Sequence, residues 1–490
     1  MPCTTLLVGK KASNDGSTMI ARNDDSSSGV FNAKKLVWVP KEKMPKHYRS
    51  VLSGVEVDLP KDPLSFSMFP NVDPKDGIWP AAGFNEEGVS MTATETITTN
   101  ERVLGADPYV EKIPAKGNRK AVPGGIGEEE LVYLVLPFIH SAREGVLRLG
   151  SLLEKYGTYE SNGIAFSDKD EIWWLESIGG HHWIAARVPD DEYVVMPNQF
   201  GLDVFDFRDA LKEGKNFLCS KDLKDFVAKN HLDLGMGDYF NPRLAFGSHS
   251  DSDHVYNTPR AWYMLRYFNR NTFRWDGPDA YMGPKDDDLP WSLVPERKIT
   301  LEDVKYILSS HYQGTDYDPY DSHADPIKKG SFRPIGINRT SFLSVMVING
   351  KKPKPLQAVE WFSFGSNVYN VLVPYYPVEG EVPAYFSKTP GQADSHSFYW
   401  ANRLIAALAD THAHTTSADI ERYQEKMMAF GRQVLLETEE AYKKKPDLKL
   451  LLQANDRVAK EAEKETTALL DRVLYKASLD MKNAFSMSDK

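Results

Sequence analysis

Cysteine is almost absent from this chain: 490 residues contain two, Cys3 and Cys219. A disulfide framework is thereby excluded, and the scarcity fits a reducing compartment where thiols stay reduced. Long apolar runs are missing too. No stretch of about 18 apolar residues is present to span a bilayer. Polar Lys10, Lys11, Ser13, Asn14 and Asp15 follow the first short apolar run, so the apolar core of a secretory signal is lacking. A cytoplasmic protein with no membrane partner is the expectation. Basic charge is in deficit, with 59 Lys and Arg against 69 Asp and Glu and a net charge of −10, which disfavours nucleic acid as a partner. Metal-ligand spacings such as His-Glu-x-x-His do not occur. His412 and His414 are two apart, which does not put both on one helical face. The acids Asp316, Asp318, Asp321 and Asp325 lack the glycine and terminal glutamate of a calcium loop. Neither a metal nor an organic cofactor is expected.

What is present begins at Cys3, which heads the β-prone run Thr4 to Val8 and precedes Arg22-Asn23-Asp24-Asp25 by nineteen residues. Freed as an N-terminus, such a cysteine carries both nucleophile and base, because an α-amine with a pKa of about 7.7–8.0 accepts a proton near neutrality. By itself the residue reads more simply as a small hydrophobe opening a buried strand. The runs Thr4 to Val8 and Thr18 to Asn23 flank Asn14-Asp15-Gly16, a turn signal, so a hairpin is expected. With Val8 near Thr18, Thr4 falls near Arg22 and Cys3 meets the Arg22 to Asp25 segment at one end.

Farther on, Gly83 to Thr96 reads as a turn into an alternating strand. Glu128 to Glu130 open a helical pattern through Leu131, Leu134, Val135, Phe138, Ala142, Val146, Leu149 and Leu153. Segments at 163–166, 171–176, 183–188 and 193–197 predict an antiparallel meander. The Pro, Gly and Asp-rich stretch 276–296 predicts a long loop or insertion. From Ser417 to about Phe485, apolar residues at helical spacing, interrupted near Pro446, predict two or more helices. They read either as a layer covering a sheet or as an arm for a homo-oligomer.

The opening Cys-Thr-Thr-x-x-Val-Gly-Lys-x-Ala-Ser-x-Asp-Gly-Ser, running into Ala-Arg-Asn-x-Asp, resembles the start of the C69 peptidases, the dipeptidase A and secernin group of N-terminal nucleophile hydrolases. The likeness continues through Gly83-Phe84-Asn85-Glu86-Glu87-Gly88, Trp173-Trp174-Leu175-Glu176, Pro197-Asn198-Gln199-Phe200, Gly314-Thr315-Asp316-Tyr317-Asp318-Pro319 and Ser397-Phe398-Tyr399-Trp400, most of residues 3–410. The resemblance implies an α+β fold, a four-layer αββα sandwich of two antiparallel sheets flanked by helices. It divides the chain into a removed segment 1–2, a catalytic domain 3–415 and a helical segment 416–490.

The same resemblance implies roles. Cys3 is the nucleophile and its freed amine the base; Arg22 lowers the thiol pKa; Asp25 orients the amine. Asn198 and Asn85 donate to the oxyanion, Asn85 through its backbone N–H. Arg260 is the second site arginine, with Arg339 as competitor. Asp24 and Glu95 are candidates for a substrate ammonium, and Arg260 or the Gly124 to Gly127 loop for a carboxylate. The implied reaction is hydrolysis of a dipeptide through a thioester. An amidase of acylated small molecules and a secernin-like, non-catalytic interaction protein are the alternatives.

Overall fold

The computed structural model describes residues 3–27, 29–237 and 239–481, so the segment 1–2 lies outside the described residues. Two antiparallel sheets form the centre. The first runs in the order Ser292–Leu293, Tyr193–Met196, Thr4–Val8, Thr18–Asp25, Thr340–Ile348, Ala358–Phe364 and Val373–Tyr375. The second runs Phe217–Cys219, His182–Arg187, Ile172–Ile178, Asn162–Ser167, Ser90–Thr92 and Ala82–Phe84, with Glu95–Thr96 also paired to Asn162–Ser167.

Alternation along the strands makes the layers. Trp174, Ile184 and Ala186 face one core with Leu6, Ile20 and Val194 of the first sheet. Trp173, Leu175, Phe166 and Trp183 face a second core with Val146, Leu149 and Leu153 of the helix Ala142–Tyr156. That helix lies close to the sheet because Gly145 and Gly150 face aromatic rings; a Cβ at either would come within 2.3 Å of Phe166 or Trp183. Helices Leu301–Leu308, Phe398–Asp410 and Lys449–Leu479 cover the other side of the first sheet. The result is the expected α+β sandwich with helices outside.

The first hairpin forms where its turn signal predicts. Gly16 takes φ 85°, a conformation glycine adopts without cost, and Asp15 accepts from the Ser17 N–H at 3.0 Å. The register is one residue from the expected one: Val8 faces Met19, Thr5 faces Arg22 and Thr4 faces Asn23. Two other expectations need correction. The helix anticipated from Glu128 through Leu153 is broken into Leu131–Val135, a tight turn Leu136–Phe138 and Ala142–Tyr156. Pro137 has no N–H to continue the first piece, and Ser141 restarts the chain by capping the Glu144 N–H at 3.2 Å. The meander also stops after three strands: Tyr193–Met196 leaves the second sheet and pairs with Thr4–Val8 in the first.

At the C-terminal end, helices Ala413–Lys444 and Lys449–Leu479 pack on each other around the break near Pro446. Among the described residues no helix is long and apolar enough to cross a membrane.

Candidate active site

The strand that changes sheets creates the site. Met196 faces Thr5, so carrying that register two residues on places Asn198 beside Cys3. On the other flank Thr5 faces Arg22, which sets Asp24 opposite Cys3. Paired residues point to the same face of a sheet, and Cys3, Arg22, Asp24 and Asn198 therefore converge.

Cys3 is 0% exposed. Its backbone N–H donates to Asn198 Oδ1 at 3.1 Å, and Arg22 Nη2 donates to its Sγ at 2.9 Å. Arg22 also donates to Asp24 Oδ1 at 3.1 Å and Glu128 Oε1 at 3.0 Å. The second Asp24 oxygen pairs with Lys34 at 3.2 Å. Cys3, Asp24 and Glu128 present ligand atoms within 4.8 Å of one another, a spacing that suits a metal ion. The Arg22 guanidinium contacts all three, so the cation these groups gather is the arginine.

Arg260 closes the opposite side. It lies in the first turn of the helix Thr258–Phe268, where Pro259 fits because its missing N–H is not needed. Its guanidinium donates to the Cys3 carbonyl, to Thr4 Oγ1 at 2.7 Å, to Asn198 Oδ1 at 2.8 Å and to Asn257 Oδ1 at 2.6 Å. Asn198 Nδ2 donates to the Thr96 carbonyl at 2.8 Å. Glu95, next in the chain, accepts from Thr5 Oγ1 at 2.8 Å through one oxygen. Its other oxygen is buried without a hydrogen bond.

Charge in this buried setting is unevenly balanced. Burial drives the Cys3 thiol far above its ordinary range; Arg22 pulls it down, and Glu95, Asp24 and Glu128 push it up again. With the residue as encoded, the thiol is protonated at neutral pH and needs a base. Burial also lifts the Glu95 carboxyl to about 7 despite Arg260 and Arg22. Burial opposes the Asp24 carboxylate, but Lys34 and Arg22 outweigh it and hold its pKa low.

Of the residues anticipated from sequence, Cys3, Arg22, Asn198 and Arg260 share one hydrogen-bonded cluster, with Asp24 and Glu95 at its edges. Arg339 instead donates to the Tyr256 hydroxyl. Asp25 pairs with Arg333 and accepts from Thr340 Oγ1 at 2.5 Å; its carboxylate lies on the far side of the strand from Asp24. Asn85 stays outside the cluster. Its N–H goes to the Val89 carbonyl at 3.0 Å, and its side chain donates to the carbonyls of Leu136 and Ile139 at 3.0 and 2.8 Å, so its donors hold a turn together. The Gly124 to Gly127 loop forms no anion nest: its four N–H groups go to Ser53, Val110, Gly157 and Glu130. Asp24 has both oxygens on cations of the protein.

Sequence reasoning missed three charged residues. Glu128 was legible only as an acid at a helix start, and neither Lys34 nor Arg333 carries a local signal. Cys219 is a buried strand residue whose thiol burial pushes up to about 12, an inert setting.

The sequence model of Peptidase family C69 matches residues 2–426. The chain is 51% identical over 532 aligned positions to a dipeptidase of Bifidobacterium longum (strain NCC 2705), covering 100% of both chains. It is 51% identical over 490 residues to probable dipeptidase A of Streptococcus pyogenes serotype M3 (strain SSI-1), again 100% of both. To dipeptidase A of Lactobacillus helveticus it is 42% identical over 478 residues, 96% of each chain. Identity at this level across whole chains, together with a cysteine held at both N and Sγ at the head of a strand, leads to one conclusion: the chain belongs to peptidase family C69.

Proposed function

We propose that this protein hydrolyses the peptide bond of dipeptides, with Cys3 as nucleophile and, once the two preceding residues are removed, its own α-amine as base. The observation that carries the reading is that separate polar groups grip the two reactive atoms of one residue: Asn198 holds N and Arg22 holds Sγ. The names of the relatives supply the substrate class.

The amine takes the thiol proton, and the thiolate attacks the substrate carbonyl carbon. Arg22 favours the thiolate, as cations beside cysteines do. Asn198 turns its Oδ1 to Cys3 N; its Nδ2 gives one hydrogen to the Thr96 carbonyl at 2.8 Å and the other to the oxyanion, an interaction worth about 3–4 kcal/mol in acyl transfer. The ammonium returns the proton to the departing amine as the C–N bond breaks, leaving a thioester. Water, deprotonated by the same amine, then attacks the thioester carbonyl, and the thiol leaves reprotonated. Arg260 takes part by fixing the Cys3 carbonyl and Asn198, so both keep their orientation. Asp25 supports the fold behind them through Arg333 and Thr340.

A panel of dipeptides and acylated amides, assayed with wild type and Cys3→Ala, tests the reading. Wild type should cleave dipeptides and Cys3→Ala should lose at least about 10³-fold in kcat. Preference for acylated amides would instead select the amidase.

A further inference from the structure

Lys34 takes no part in the reaction steps above, yet it is 1% exposed and its side chain ends in the cluster around the nucleophile. A backbone bridge between Lys34 and Asn71 fixes its segment. From there Nζ pairs with Asp24 Oδ2 at 3.2 Å and donates to the Trp79 carbonyl at 2.8 Å. Trp79 has φ 49°, a conformation that a non-glycine residue keeps only where its surroundings hold it. Two residues on, the Ala81 carbonyl accepts from Arg22 Nη1 at 3.5 Å. The lysine and the arginine are thus tied to one short segment and share one carboxylate, Asp24.

That sharing decides how much of the Arg22 charge the sulfur receives. Arg22 contacts Sγ, Asp24 Oδ1 and Glu128 Oε1. Once the thiol ionises, all three of its partners are anionic. An Asp24 oxygen lies within 4.8 Å of Sγ, and a like charge at that range disfavours the thiolate. Burial opposes the Asp24 carboxylate, and Lys34 does more than Arg22 to offset it. Other charges also face Cys3: Glu95 opposes the thiolate, Arg260 holds the Cys3 carbonyl, and the freed α-amine adds its own.

We propose that Lys34 is a positioning residue for the reaction: by neutralising Asp24 it leaves the Arg22 charge to the Cys3 thiolate, so that lysine and arginine together activate the nucleophile. The inference rests on the reading of Cys3 as nucleophile and adds a residue to it. Counting charges gives the direction of each effect. Without Lys34 the cluster is one charge more negative, and the thiolate forms at higher pH. Without the Asp24 charge it forms at lower pH. Removing both restores the wild-type balance.

The test is the pH profile of Cys3 alkylation by iodoacetamide, followed by peptide mass to separate Cys3 from Cys219, in preparations of equal N-terminal processing. The midpoint should rise by about one pH unit in Lys34→Met and fall by a similar amount in Asp24→Asn. In the double variant it should lie within about 0.3 unit of wild type. With L-alanyl-L-alanine, kcat should fall about tenfold in Lys34→Met with KM changed less than about threefold, and Lys34→Arg should recover most of the loss. An unchanged midpoint in a folded Lys34→Met overturns the inference. So does a double variant as impaired as Lys34→Met, because the lysine would then serve only by holding the Trp79 carbonyl. Should Lys34→Met fail to fold, the other pair decides: the double variant should alkylate at higher pH than Asp24→Asn, and coincident profiles refute the role. Absence of dipeptide turnover by wild type would count against the dipeptidase reading, with alkylation still deciding the role of Lys34.

Discussion

Arg260 and Asn198 are locked together behind the nucleophile: the guanidinium donates to Asn198 Oδ1 at 2.8 Å, and the same oxygen receives the Cys3 N–H at 3.1 Å. One carbonyl oxygen thus has two donors, and Nδ2 donates to the Thr96 carbonyl at 2.8 Å, so the amide plane is fixed from both branches. The arginine serves the site through four acceptors at once, which a lysine cannot reproduce.

Arg260→Lys should lower kcat/KM about 10²-fold by letting the Asn198 amide turn. Arg260→Ala should in addition destabilise the fold by about 3–5 kcal/mol, because it removes one partner of a buried charged network. Steady-state kinetics and thermal unfolding separate the two effects.

Asn198→Ala should reduce kcat about 10²–10³-fold through loss of an oxyanion donor. Asn85→Ala should behave oppositely. Its amide holds the carbonyls of Leu136 and Ile139, so unfolding should shift by about 1–3 kcal/mol while kcat stays within about twofold of wild type. A large kcat defect in a stably folded Asn85→Ala would return it to the oxyanion site.

Arg22→Gln should slow alkylation of Cys3 by iodoacetamide at neutral pH, since the cation at 2.9 Å is what favours the thiolate. The pH profile of alkylation should move to higher pH, and a lysine at the same position should restore part of the shift.

Glu95 predicts a pH dependence of stability. Its folded pKa is pushed up to about 7, from a carboxyl value of 4.5, first by burial. The folded state therefore holds a proton that the unfolded state releases. The associated stability is complete below pH 4.5 and is lost as pH rises through 7. Glu95→Gln should remove this loss, up to about 3 kcal/mol, so denaturant unfolding of the variant should be flatter between those pH values. An identical slope in both proteins would show that Glu95 ionises normally.

The sequence carried the first hairpin and the pairing of Cys3 with Arg22 because both depend on a local turn, Asn14 to Gly16, and on alternation. It missed the register by one residue: the expected pairing set Asn23 opposite Cys3, and the observed one sets Asp24 there, while Asp25 entered through the family likeness alone. The crossing of Tyr193–Met196 to the other sheet was invisible for a different reason. A strand's own residues specify which face is buried but not which distant edge it joins, and 193–196 follows three strands of the second sheet without a break in pattern. Glu128 was hidden inside a run of three acids that fits a helix start equally well. Asn198 was found through family likeness, since a Pro-Asn pair at a strand end carries no chemistry of its own.

Intact mass and N-terminal sequencing of an active preparation test whether Cys3 acts with a free α-amine. The active chain should begin at Cys3, with activity proportional to the fraction so processed. Full activity in a preparation that retains Pro2 would contradict it.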